Sequence, residues 1–126
     1  MSSTPSRIQL HKKSKTLELQ FGDLSYNLSA EFLRVHSPSA EVRGHGSESA
    51  VLQYGKAQVA INTLEPAGNY GLRIFFDDNH SSGIYTWPQL YELATTQDQL
   101  MSSYLKQLQK AGKAREPGAQ ILHITP

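Results

Sequence analysis

The sequence predicts an α+β fold, in which a small twisted antiparallel β-sheet is accompanied by short helical turns and a C-terminal amphipathic helical region. Two patterns support this prediction. In the first third of the chain, apolar and polar side chains alternate, which is the period-2 pattern of half-buried strands. Between residues 90 and 108, apolar side chains recur at three- and four-residue spacing, which is the pattern of an amphipathic helix.

The alternating segments at the N-terminal end predict three strands. They cover residues 7–10, 15–21 and 24–28. Gly22 and Asp23 separate the last two, and a glycine-containing pair between alternating runs favours a two-residue hairpin turn. We therefore expect this part of the chain to form an antiparallel meander.

Two helix starts follow the meander. Ser29 is a suitable cap for a helical turn over residues 29–34. Residues 37–44 contain a second start, with Pro38 at the first helical position and Gly44 at the end. Both helices are predicted to be short.

A second group of strands is predicted after a loop. Residues 57–65 and 70–77 alternate, and turn-forming residues 66–69 separate them. A polar loop over residues 77–83 leads to a short extended run at residues 84–86.

The C-terminal helical region begins at Thr86, which matches a capping box with Gln89. Thr96 and Gln99 repeat that pattern, so the region is predicted to divide into two helices there. It ends near Gly112, a residue type that favours helix termination.

The length of 126 residues predicts one domain. We assign residues 1–6 to a disordered lead-in rich in serine, threonine and proline, and residues 7–112 to the domain. Residues 113–126 contain Gly118 and two prolines and are predicted to form a loose tail.

Composition excludes several functions. The absence of cysteine excludes disulfides, thiolate metal sites, iron–sulfur ligation and a cysteine nucleophile. Twelve Lys and Arg against 11 Asp and Glu give a net charge of +1, which provides no electrostatic reason to expect nucleic acid or a membrane as a partner. The polar N-terminus and the lack of a long apolar run favour a cytoplasmic protein.

Few residues suggest chemistry by their spacing. The sequence contains no serine-nucleophile elbow, phosphate-binding loop or dinucleotide fingerprint. His80 lies in the polar loop, where it is either a metal ligand beside a carboxylate or an ordinary loop residue. Aromatic residues crowd between residues 70 and 91, and any that are exposed would suit a partner surface.

Four segments together resemble the gamma-butyrobetaine hydroxylase-like N-terminal domain family. They are residues 32–34 (FLR), 37–46 (SPSAEVRGHG), 65–70 (EPAGNY) and 82–87 (SGIYTW). The resemblance extends over residues 7–112. The family includes small stand-alone bacterial proteins of unknown function and the N-terminal domain of gamma-butyrobetaine and trimethyllysine dioxygenases. A related domain is appended to some P-loop iron–sulfur carrier ATPases.

The resemblance also implies a relationship to a zinc site. In the hydroxylases this domain holds a structural zinc through three cysteines and one histidine. The resemblance places Ser37, Ser39 and Val42 at the cysteine positions and His80 at the histidine position. Serine is a poor zinc ligand beside a thiolate, and valine has no donor, so we expect no tight structural zinc. We expect Ser37, Ser39 and the main chain to hydrogen-bond His80 instead, although these residues are also the candidate for a weak iron or zinc site.

The function that we expect is that of a non-catalytic accessory or interaction module, because the dioxygenase catalytic domain is absent and no nucleophile–base pair is evident. The predicted contact surface is the segment over residues 34–46 with the His80 loop. Its candidate contact residues are Arg34, Glu41, Arg43 and His45.

Two alternatives differ in class from this expectation. One is an iron- or zinc-binding module that assists an iron–sulfur carrier or an iron-dependent enzyme. The other is an enzyme in its own right. An open sheet edge would in addition be compatible with a homo-oligomer.

Overall fold

The computed structural model describes residues 4–39, 42, 51–81 and 83–117. Within these ranges it confirms the α+β class, with antiparallel sheets followed by C-terminal helices. The strands lie in two separate three-stranded sheets, each a meander in which neighbours along the chain are paired. The elements in chain order are β1 Arg7–His11, β2 Thr16–Phe21, β3 Leu24–Ser29, α1 Ala30–Val35, β4 Ile61–Ala67, β5 Gly71–Phe76, β6 Tyr85–Thr86, α2 Trp87–Thr95 and α3 Gln97–Ala111.

The first sheet follows the alternation in the sequence. Leu17 pairs with Leu28 and Leu19 pairs with Tyr26, so that apolar side chains of β2 and β3 share one face. Gly22, with φ of +61°, turns the chain between these strands, which confirms the predicted hairpin.

The second sheet corrects one strand prediction. The strand predicted at residues 57–65 is observed as β4, four residues later at its start and two at its end. Val59 donates its N–H to the Lys56 carbonyl at 3.1 Å, so the chain still turns where a strand was expected. Pro66 remains within β4 because this is an edge strand, where a missing N–H leaves no ladder bond unmade.

Two predicted helix starts are confirmed by their capping hydrogen bonds. Ser29 Oγ accepts from the N–H of Phe32 at 3.0 Å at the start of α1. Thr86 Oγ1 accepts from the N–H of Gln89 at 3.4 Å at the start of α2. Half of the predicted helix over residues 37–44, namely residues 40, 41, 43 and 44, lies outside the described residues.

The break between α2 and α3 occurs at the predicted position, but its predicted capping box is wrong. Thr96 Oγ1 donates to the carbonyl of Glu92 at 2.6 Å and makes no capping bond to α3. The hydroxyl therefore satisfies an acceptor at the end of α2 rather than a donor at the start of α3. Gly112, with φ of +67°, ends α3 in the left-handed conformation.

The core joins both sheets to the helices. Buried side chains of β2, β3, α1, β5, β6 and α2 form one apolar cluster. A smaller cluster of Val35, Tyr104 and Leu108 connects α3 to the end of α1. In the part of the chain that the structure describes, no helix combines the length and apolar character needed to cross a membrane.

The predicted lead-in and tail are described only in part. Ser6 donates its N–H to the Gln20 carbonyl at 2.7 Å, which continues the pairing of β1 with β2. Residues 113–117 lie against residues 55–58, where Gly55 donates its N–H to the Ala114 carbonyl at 2.9 Å. Residues 1–3 and 118–126 lie outside the described residues.

Candidate functional site

Ser37 and His80 form the centre of the candidate site. Ser37 follows α1, His80 follows β5, and their Oγ and Nε2 atoms lie 2.9 Å apart. Both residues are buried, with 1% and 5% of their surface exposed. Ser39 donates its backbone N–H to Ser37 Oγ at 3.2 Å. Of the hydrogen bonds expected for His80, the one with the Ser37 side chain is therefore present, and the main-chain N–H of Ser39 donates to Ser37.

A tight turn after β5 directs His80 into the interior. Asn79 has φ of +67°, a conformation that asparagine tolerates better than most residues. The N–H of Phe76 donates to the His80 carbonyl at 3.0 Å, and the N–H of His80 donates to Asp78 Oδ1 at 3.3 Å. The imidazole consequently packs near the ring of Phe76, with the ring centroids 6.1 Å apart.

The loop after β5 also approaches the backbone of the serine segment closely, at Gly83. Gly83 has φ of +95°, and a Cβ atom at this position would lie 2.7 Å from the backbone nitrogen of Ser39. Glycine is therefore the residue that lets the loop reach the serine segment without a clash.

Three charged side chains lie beside the histidine. Asp78 Oδ2 accepts from Arg34 Nε at 2.8 Å and from Lys56 Nζ at 2.6 Å. Burial opposes the ionisation of Asp78, but hydrogen bonds from Lys56 and Arg34 outweigh it and hold the pKa of that carboxyl below its usual value. This cluster joins α1, the segment before β4 and the loop after β5.

The position of Arg34 corrects a prediction about the surface. Arg34 was predicted to lie on an exposed contact segment, but it is only 7% exposed. Its guanidinium is paired with the half-buried carboxylate of Asp78. Its Nη1 atom is buried and has no hydrogen-bond partner among the described residues. The other three predicted contact residues, Glu41, Arg43 and His45, lie outside the described residues.

Tyr85 completes the interior polar arrangement. Its hydroxyl donates to the Leu33 carbonyl at 2.5 Å. Burial raises the pKa of Tyr85 far above its usual value, although a hydrogen bond with Ser37 opposes this effect. The phenol therefore stays protonated and acts as a donor at the end of α1.

The side chains at the family's zinc position do not fit a structural zinc. His80 provides one imidazole, whose Nε2 is hydrogen-bonded to Ser37, and no thiolate is available. Val42, at one of the implied cysteine positions, is 6% exposed and contributes an apolar side chain. Across the described ranges, no group of three or more His, Cys, Asp or Glu side chains could hold a metal ion.

A half-open cavity of about 580 Å³ lies next to this cluster, between the end of α1, residues 51–53 and helices α2 and α3. Its ionisable lining residues are His36, Glu92 and Tyr104. Burial lowers the pKa of His36, although its Nδ1 contact with the Phe32 carbonyl at 2.9 Å opposes this. Burial also raises the pKa of Tyr104 to about 12, and its hydroxyl donates to the Gln53 carbonyl. These groups contain no nucleophile paired with a base.

A patch of apolar side chains lies at the end of the β2–β3 hairpin. We call Phe21, Leu24, Tyr26 and Tyr91 the hairpin-end patch. The ring of Phe21 contacts the edge of Tyr91 with centroids 5.1 Å apart, and Tyr26 lies 6.2 Å away on its other side. Leu24 is 60% exposed and Tyr91 is 40% exposed. The apolar face of the first sheet thus continues past the helix that covers it.

Fold and site together define a small α+β scaffold whose elements are joined by buried polar contacts. A family model described as gamma-butyrobetaine hydroxylase-like, N-terminal, matches residues 8–91. The chain belongs to this family, which confirms the resemblance seen in the sequence. Among curated proteins, none matches the chain significantly.

Solved structures support the same assignment. One protein solved in solution by NMR is 57% identical, with a TM-score of 0.85 over 97% of each chain. A second NMR structure is 42% identical, with a TM-score of 0.76 over 100% of this chain and 96% of the other. A crystal structure from Acidithiobacillus ferrooxidans, of a protein of unknown function in the DUF971 family, is 29% identical. Its TM-score is 0.57 over 73% of this chain and 93% of the other.

Sequence reasoning missed the partners of the site residues. Asp78 is considered from the sequence as a loop carboxylate beside His80, and Asp78, Lys56 and Tyr85 are not connected there with Arg34 or Ser37. No local pattern links them, because Arg34 and Asp78 are 44 positions apart. The one available signal was an acidic residue two positions before the histidine that the family resemblance singled out.

Proposed function

We propose that the protein is a non-catalytic interaction module that binds a partner protein through the hairpin-end patch. The observation that carries the proposal is the exposure of Leu24 on β3 and of Tyr91 on α2, on either side of the Phe21 ring at the edge of the apolar sheet face. Clustered aromatic and aliphatic side chains are the residues that contribute most to protein–protein binding, because their burial is favourable and their geometry is rigid. Contiguous exposed patches of this kind mark interaction sites.

The buried position of the polar cluster supports a non-catalytic role. Ser37 lines the half-open cavity, but only 1% of its surface is exposed and its hydroxyl is hydrogen-bonded to the buried imidazole of His80. Asp78 is occupied by two cations. These contacts hold α1 against the second sheet, which is a structural role. We therefore assign the functional contacts to the surface.

The patch suits an apolar partner surface. Its four members are uncharged, and Phe21 and Tyr26 are only partly exposed, so a partner would contact ring edges as well as the side chain of Leu24. Aliphatic side chains of the partner would fill the space between Leu24 and Tyr91. The interface would then be driven by burial of apolar surface, at roughly 25 cal/mol per Å².

Site-specific photo-crosslinking in the natural host cells tests this proposal. A photoreactive amino acid is placed at Leu24 or Tyr91, and at Tyr70 as a control, because Tyr70 is equally exposed at the other hairpin. We expect one discrete adduct with another protein from positions 24 and 91, and none from position 70. The same adducts from position 70, or none from any position, would contradict the proposal. An adduct with a second copy of the chain would assign the patch to self-association and would also overturn a separate partner.

A further inference from the structure

Residues 113–117 form what we call the C-terminal strap, a segment that crosses the surface after α3 has ended. Two backbone hydrogen bonds hold it, from the N–H of Gly55 to the Ala114 carbonyl and from the N–H of Ala57 to the Arg115 carbonyl, both at 2.9 Å. The segment over residues 55–57 thus offers two backbone donors to an extended chain. These donors lie in a bend and turn before β4, where Gly55 has φ of +67°.

Beneath the strap lies the carboxylate of Glu31. This residue belongs to the first turn of α1 and is 5% exposed. Arg115 binds it with two nitrogens, Nη2 to Oε1 at 2.6 Å and Nε to Oε2 at 2.9 Å. A carboxylate buried to this extent is strongly destabilising without a partner, and a guanidinium matches both of its oxygens in one plane.

The two members of this ion pair differ in how firmly the fold holds them. The side chain of Glu31 is 5% exposed, whereas that of Arg115 is 47% exposed. The acceptor is therefore built into the core, while the donor comes from a surface segment. The other strap contacts lie at the surface too, including Lys113 Nζ, which lies 4.7 Å from the ring centre of Tyr54.

A cavity of about 360 Å³ lies beside the ion pair and is lined by both Glu31 and Arg115. Phe32, Val59 and Met101 give it an apolar wall. The region around Glu31 therefore has room for a larger occupant than the strap, with an apolar surface for the stem of an arginine and a carboxylate for its head.

We propose that Glu31, together with the N–H groups of Gly55 and Ala57, is a recognition site for an extended, arginine-bearing segment of a partner protein. The chain's own strap occupies this site in the free protein through Arg115. A partner segment replaces the strap by placing its own guanidinium on Glu31 and its own two carbonyls on the N–H groups of Gly55 and Ala57. The site shares no residue with the hairpin-end patch, so it stands or falls separately from the proposed function.

The test uses the full chain with Arg115→Ala, which removes the guanidinium from Glu31. The strap backbone still accepts from the N–H groups of Gly55 and Ala57 in this variant, so the probe has to displace it. The probe is a capped pentapeptide with the strap sequence KAREP, and its affinity is measured by calorimetry. We expect it to bind this variant at least about tenfold more tightly than the unaltered chain, in which the tethered strap competes at high effective concentration. A peptide with lysine in place of arginine should bind more weakly, and one with glutamine should not bind.

Two controls make the result decisive. Adding Glu31→Gln to the Arg115→Ala chain should abolish peptide binding, and the bound peptide should shift the amide signals of Gly55 and Ala57 without shifting that of Leu24. If Arg115→Ala does not fold, Arg115→Lys replaces it in the same titration, because lysine offers one donor where arginine offers two. Equal affinity for all three peptides, or no binding to a folded variant, would show that the strap is structural only and would overturn the proposal.

Discussion

Ser37 Oγ and His80 Nε2 lie 2.9 Å apart in the interior, although 43 positions separate them in the chain. This contact ties the end of α1 to the loop after β5. Because both atoms are buried, removing the Ser37 hydroxyl breaks this contact and also takes away the acceptor of the Ser39 N–H. We therefore expect the loss of this hydrogen bond to lower the free energy of unfolding.

We predict that Ser37→Ala lowers the free energy of unfolding by about 1–3 kcal/mol, because it removes two buried hydrogen bonds that are each worth roughly 0.5–1.5 kcal/mol. Urea denaturation at pH 7.5 measures the change. Ser25→Ala is the matched control, because Ser25 is an exposed serine whose loss should cost less than about 0.5 kcal/mol. Equal effects of the two substitutions would show that the buried contact adds nothing.

A second prediction tests the zinc site that the sequence resemblance implies, by restoring its donor atoms. Ser37, Ser39 and Val42 are all buried, and the first of them already contacts His80. We expect the variant S37C/S39C/V42C to bind one zinc ion per chain, because three thiolates and one imidazole complete a tetrahedral set. Mass spectrometry of the native protein measures the metal, and added chelator should lower the Tm of this variant.

The same triple variant with His80→Ala is the control for the zinc prediction. It should bind zinc far more weakly, since it lacks the fourth ligand. Equal zinc retention with and without the imidazole would show that the cysteines bind metal without His80, and that the histidine position was assigned wrongly.

A third prediction concerns Asp78, which carries two cations. Asp78→Asn should lower stability by on the order of 3 kcal/mol, because it leaves the buried guanidinium of Arg34 uncompensated. Lys56→Met should cost less, since Asp78 keeps Arg34 and the Lys56 side chain is 22% exposed. Thermal denaturation of both variants shows which substitution lowers the stability more. A larger loss for Lys56→Met than for Asp78→Asn would contradict the prediction.

The features predicted from sequence are those that depend on neighbouring residues. The caps at Ser29 and Thr86 follow from side chains three positions from their targets, and the hairpin follows from Gly22. The start of β4 was predicted four residues too early. Val59 is apolar and buried, like a strand residue, but it lies in a turn.

The candidate site was predictable only through the family resemblance. That resemblance placed Ser37 opposite His80, and the structure confirms that they meet. No pattern in the neighbouring sequence indicates that Asp78 would bind Arg34. Hydrophobic alternation and capping patterns predict which side of an element a residue lies on, but they do not identify its partner in a distant part of the chain. Arg34 was predicted to lie on an exposed contact segment, whereas it is buried and paired with the half-buried Asp78 carboxylate, 44 positions away.

The last prediction concerns His36, whose pKa is lowered by burial although its contact with the Phe32 carbonyl opposes that effect. Because the folded protein binds a proton less readily than the unfolded chain, its stability is greatest above the unfolded pKa of about 6.5. Stability should fall as the pH drops below that value and level off below the folded pKa. Urea denaturation at pH 7.5 and at pH 5.0 should show this loss in the unaltered protein and a smaller one in His36→Gln.

The carboxylates with shifted pKa values do not obscure this comparison. A hydrogen bond from His11 lowers the pKa of Glu18, and the cations around Asp78 lower the pKa of that residue, so both titrate below the chosen range. An NMR titration of the imidazole gives an independent measurement, with an expected midpoint below about 6.5. A midpoint above that value, or the same pH dependence in His36→Gln, would show that the burial of His36 does not favour its neutral form.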